Sequence, residues 1–155
     1  MREQRRRELE LEIVERPQQV AEIDLVVPFT TPELTRIALA AADRMGSGLH
    51  ATLRLVKVQV VPFPMDLDQS PVYLEFLKQQ LAQFDSALPR SAEIRLAREF
   101  EPGLLGTLNP ESVVVLAAPK RLWKTRNERL AASLRRTGHK VVLIDKFDTA
   151  EADNA

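Results

Sequence analysis

At 155 residues, 45% of them hydrophobic, the chain can fill one sizeable core and is too short for several domains. Its 22 basic residues balance 22 acidic ones and only 5% of residues are aromatic, so neither a global charge nor a set of stacking platforms points to nucleic acid, which is not an expected partner. With no cysteine, disulfides, thiol nucleophiles and thiolate-bound metals are excluded.

Residues 1–23 read as a charged N-terminal extension. Arg5, Arg6 and Arg7 suit a solvated tail. Across residues 8–15, Leu9, Leu11 and Ile13 alternate with Glu8, Glu10 and Glu12. That period of two predicts a half-buried edge strand, although the same residues also suit a helix. Pro17 ends the element in either case. The extension holds no apolar segment of secretory type and no run approaches the ~20 apolar residues that span a bilayer, so a cytoplasmic chain without membrane insertion is expected.

A single domain is expected over residues 24–147. Leu25, Val26 and Val27 open it as a short strand closed by Pro28. Thr31 is placed to cap a helix with Pro32 at its first position. Leu34, Ile37, Ala38, Ala41 and Met45 keep helical spacing up to Gly46, a natural residue just past a helix end. Residues 50–61 read as a long strand stopped by Pro62 and Pro64. A second helix opens at Ser70-Pro71, with Tyr73, Leu74, Leu77, Leu81 and Phe84 on its apolar face. Residues 92–100 alternate Ile94, Leu96 and Phe100 inward as a third strand. The connection 101–111, with Pro102, Gly103, Gly106 and Pro110, has room for one or two helical turns. Residues 113–116 form a wholly apolar strand of the kind buried on both faces of a parallel sheet. Residues 126–137 read as a helix stopped by Gly138, residues 141–144 as the last strand, and 148–155 as a loose tail.

Strands alternating with helices predict an α/β fold: an open, mainly parallel, five-stranded Rossmann-like sheet with helices on both faces, and an added strand from the N-terminal extension. Ligands in such sheets bind beyond the carboxyl ends of the strands, where strand order reverses. Two loops meet that description, residues 28–31 and residues 117–127. The first brings Phe29 and Thr30 as candidates. The second brings Lys120, Arg121, Lys124 and Arg126 around Trp123, with Thr125 or Asn127 to cap the following helix. Four cations, a stacking aromatic and a positive helix end suit a nucleotide or another anionic ligand. The same residues also suit a solvated loop, with Trp123 packed on the surface or in a subunit contact.

Other chemistry finds little footing. His50 and His139 are far apart in sequence and neither has a second ligand at metal spacing. Asp66 and Asp68 lack the glycine and terminal glutamate of a calcium loop and suit a turn. No serine sits in a Gly-x-Ser-x-Gly elbow, so no catalytic residue, metal or cofactor is assigned and an enzyme is not expected.

The run DLVVPFTTPELTRIALAAADRMGSGLHATLRLVKVQVVPFP resembles the opening strand–helix–strand of the universal stress protein family, and SVVVLAAP followed by LAASLRRTGHKVVLID resembles its closing unit. The likeness covers residues 24–145. It implies the fold above, a regulatory or stress-related role, and homodimers. Domains of this family also occur as cytoplasmic parts of membrane transporters, a further context that the resemblance implies. Its nucleotide-binding members carry an aspartate after the first strand and a glycine-rich loop after the fourth. Here Phe29 stands at the first place, and the second reads Ala117-Ala118-Pro119-Lys120-Arg121-Leu122-Trp123-Lys124-Thr125-Arg126-Asn127. Backbone amides reach phosphates closely only where side chains do not obstruct them, and proline has no amide to donate. ATP binding of the family's usual kind is therefore not expected. A non-catalytic regulatory or interaction domain is the first reading, and a sensor of an anionic small molecule through loop 117–127 is the second.

Overall fold

Each apolar run expected to be a strand is one. In the computed structural model, which describes residues 11–14, 23–63, 74–119 and 125–145, the order is β1 (Leu11–Val14), β2 (Ile23–Pro28), α1 (Pro32–Gly46), β3 (Ala51–Val60), α2 (Leu74–Ala82), β4 (Arg90–Ala97), α3 (Phe100–Leu105), β5 (Ser112–Ala118), α4 (Arg126–Arg136) and β6 (Lys140–Asp145). The strands form one sheet in the order β1-β4-β3-β2-β5-β6. Strands β2 to β6 are all parallel, and β1 lies antiparallel on β4 with Leu11 opposite Ile94 and Val14 opposite Ser91. Order reverses between β2 and β5.

The pleat explains the two-sided core. Leu25, Val27, Leu53, Leu55, Val115 and Ala117 project to one face, where they pack with Ala38, Ala41 and Ala42 of α1 and Leu77 and Leu81 of α2. Val26, Val56, Val58, Val114 and Leu116 project to the other and meet Leu104 of α3 and Leu130, Ala131 and Leu134 of α4. Ser133 of α4 donates to Glu101 of α3 and joins those two helices.

The punctuation is largely as expected. Thr31 caps α1, its hydroxyl accepting from the Leu34 amide, with Pro32 in the first turn. At the end of α4, Gly138 takes φ of 91°, its amide bonds to Arg135 O, and the His139 amide bonds to Leu134 O. That pair of bonds is a Schellman closure, which needs a residue without Cβ at the left-handed position.

Several expectations are corrected. Gly46 is the buried last residue of α1 rather than its left-handed stop; that role falls to Gly48, at φ of 78°. A Cβ on Gly46 would come within 2.6 Å of Leu88 Cδ1, so the glycine is there for close packing. Met45 is exposed because the buried stripe of α1 runs through Thr35, Leu39 and Ala42. Phe100 opens α3 instead of ending the third strand, and Phe84 reaches the core from beyond the end of α2. The start of the second helix at Ser70-Pro71 and Tyr73, the Asp66–Asp68 turn, and the tail 148–155 lie outside the described residues.

At the amino ends of the strands a polar cluster binds the central sheet together. Arg54 grips Asp24 with two bonds, Nε to Oδ1 at 2.9 Å and Nη2 to Oδ2 at 2.8 Å. Its Nη1 donates to Thr107 O at 2.8 Å and to Glu93 at 3.2 Å. Ser112 donates to Asp24 Oδ2 at 2.6 Å and accepts from the Asn109 amide. Burial resists ionisation of Asp24, but the bonds from Arg54 and Ser112, the Arg54 charge and Asn109 outweigh it and hold the carboxyl below its usual range. A carboxyl depressed in the folded state stabilises the fold above its unfolded pKa of about 3.9 and loses that contribution as pH falls through the folded value. Asp24→Asn is thus expected to be less stable than the parent at neutral pH, with the gap closing in acid. Urea titrations at a series of pH values check this; a gap that does not narrow below about pH 4 would count against it.

Candidate functional site

A cleft of about 560 Å³ opens over the carboxyl ends of β2, β3 and β5, where strand order reverses. That volume suits a metabolite-sized ligand. Its walls come from both loops singled out in the sequence: Phe29, Thr30 and Thr31 after β2, and Pro119, Thr125, Arg126 and Asn127 around the start of α4. The end of β3 and Phe100 of α3 complete them.

Asn127 knits the two loops together. Its amide nitrogen donates to Ala117 O at 2.6 Å and lies 3.5 Å from Thr30 Oγ1. It is buried, whereas Thr125 is the residue that caps α4, its hydroxyl accepting from the Glu128 amide. Thr30 is held in turn, its amide donating to Thr35 Oγ1 at 3.1 Å. Phe29 is buried on the cleft floor with its edge toward Phe84, the centroids 5.7 Å apart. Arg126 is exposed, its guanidinium 5.3 Å from the centroid of the Phe100 ring.

The structure therefore brings together Phe29, Thr30, Thr125, Arg126 and Asn127. Lys120, Arg121, Trp123 and Lys124 lie outside the described residues. It also adds a residue that the sequence reading passed over. Lys57, near the end of β3, puts its Nζ 4.4 Å from the centroid of the Phe29 ring. Burial first, and then the nearby Arg126 charge, hold its ammonium below the usual lysine range. A lysine among the valines and leucines of a central parallel strand was the available signal.

Among the described residues lining the cleft there is no aspartate or glutamate. Two cations thus face the same space without a neutralising carboxylate on its described walls. Such a space favours an anion, and threonine hydroxyls with the first-turn amides of α4 supply hydrogen bonds for it. Val58, Val60 and Phe100 offer apolar surface to the rest of a ligand. Elsewhere, no group of described residues has the makings of a metal site, and no helix among them is long and apolar enough to cross a membrane. No protein-family model and no curated protein matches the chain.

Proposed function

We propose that this chain is a non-catalytic regulatory domain of universal stress protein type whose switch-point cleft senses a small anionic molecule. The observation that carries the reading is the pairing of Lys57 with Arg126 in a cleft whose described walls hold no acid. The strand order and the strand–helix units at both ends support the family likeness. Phe29 and the glycine-free loop 117–127 argue for an anion held through side chains, in place of a triphosphate cradled by backbone amides. A cytoplasmic setting, alone or as part of a transporter, belongs to the same proposal.

A thermal-shift screen of nucleotides and phosphorylated metabolites tests it. A ligand that binds only the folded state raises the unfolding temperature. Each charged hydrogen bond contributes about 1.5–3 kcal/mol, so Lys57→Gln combined with Arg126→Gln is expected to weaken a hit by at least about tenfold. If no compound stabilises the fold, or if the double variant binds a hit unchanged, the reading fails.

A homodimer is the partner reading favoured by a separate observation. The edge strand β6 is the apolar run Val141, Val142, Leu143 and Ile144, of which Val141, Leu143 and Ile144 pack on the two cores, and its backbone pairs among the described residues only with β5. An apolar edge of this kind is a template for pairing with a second chain. Light scattering coupled to size-exclusion chromatography is expected to give twice the chain mass. Loss of that species on Val142→Lys would support the edge as the contact; a monomer at high concentration would rule the dimer out.

A further inference from the structure

Lys57 has surroundings that suit more than charge pairing. It is half-buried, at the carboxyl end of a central strand, on the floor of the cleft. Its neighbour is the face of Phe29, which attracts an ammonium weakly and supplies no counter-charge. Lys78 by contrast is paired with Glu75 at 3.2 Å, and Lys140 is exposed to water. Desolvation and an adjacent cation are the two devices that turn a lysine from a charge into an amine nucleophile, and both act on Lys57. The cleft leaves room beside it for a reactant, and Arg126 stands on the opposite loop to hold an anionic group.

We infer that Lys57 captures, as an imine, a small carbonyl compound that carries its own anionic group, with Arg126 and the start of α4 holding the anion. This rests on the reading of the cleft as an anion site. The ammonium first gives a proton to solvent. The Nζ lone pair then adds to the carbonyl carbon, a C–N bond forms, and the π pair of the carbonyl moves to oxygen, which takes up a proton as nitrogen loses one. The hydroxyl then takes a second proton and leaves as water as the C–O bond breaks, the nitrogen lone pair forms C=N and nitrogen gives up its remaining proton, so one water is released and no oxidant or reductant is consumed.

Pyridoxal 5′-phosphate is a suitable probe, since it joins an aldehyde to a phosphate on a flat ring. Pyridoxine 5′-phosphate carries an alcohol in place of the aldehyde and serves as the non-covalent control. The full chain is incubated with limiting aldehyde, reduced with borohydride and mapped by peptide mass spectrometry. Lys57 is expected to be modified at least about tenfold faster than Lys78 or Lys140, as befits an activated amine. Arg126→Gln should slow that labelling. Lys57→Arg should abolish the adduct, because a guanidinium at this position forms no imine under the same conditions. If the alcohol binds and Arg126→Gln weakens it, yet Lys57 reacts no faster than Lys140, the imine is overturned and the anion site stands. If the alcohol does not bind and Lys57 is not preferentially labelled, both fall. Preferential labelling of Lys57 that Arg126→Gln leaves unchanged overturns the role given to Arg126.

Discussion

Arg54→Met is expected to lower the unfolding free energy by about 2–4 kcal/mol, because it strands charges that the fold has already taken out of water. The side chains of Arg54, Asp24 and Glu93 are only 16%, 20% and 24% exposed. Without the guanidinium, two carboxylates face each other across the amino ends of the central strands. Thr107 O also loses a donor, and Ser112 loses one of its neighbours. A methionine fills the volume, so the loss comes from uncompensated charge and not from a cavity. For a chain of this size each kcal/mol corresponds to about 2–4 °C in the melting temperature. Denaturant titration at neutral pH measures the loss. Asp24→Asn in the Arg54→Met background should recover part of it, since one stranded charge is then gone and the two sites are in direct contact. A change below about 0.5 kcal/mol would mean that the cluster is incidental to stability.

That cluster also marks how far the sequence could be read. Local chemistry was legible: Thr31 with Pro32, the apolar run of β5, and Gly138 identify their elements without any knowledge of distant residues. So were the two loops at the switch point, because strand–helix alternation dictates where a parallel sheet opens. What stayed hidden depends on pairing between remote positions. Asp24 and Ser112 reach Arg54 from 30 and 58 residues away, and only strand order places them side by side. Lys57 and Arg54 interrupt the same apolar strand, and spacing along β3 does not say that one lies at the cleft and the other at the opposite end. Gly46 and Gly48 show the same limit on a smaller scale. Both follow a helical pattern, and the choice of stop depended on how closely Leu88 packs against the first of them.

Phe29→Ala should have the other large effect, a loss of about 3–5 kcal/mol, the usual result of removing a buried aromatic ring. Phe29 is 4% exposed and belongs to the core on the α1 and α2 face, edge-on to Phe84. Truncation opens a void between that core and the cleft, and water entering it would reach Leu55 and Val27. Phe29→Leu keeps most of the volume and is expected to cost below about 1.5 kcal/mol. The two variants separate the roles of this position, since both remove the ring face beneath Lys57 but only one leaves a hole. If ligand binding falls equally in both while stability falls only in the alanine variant, the ring positions Lys57. If binding follows stability, Phe29 acts as core alone. A loss below about 1 kcal/mol for alanine would contradict its buried place in the fold. Either way an aspartate here would be a poor replacement, because its carboxylate would sit against the Phe84 ring and the apolar core, where packing and not charge surrounds the position. The fold has committed the end of β2 to packing, and that commitment leaves anion recognition to the side chains around it.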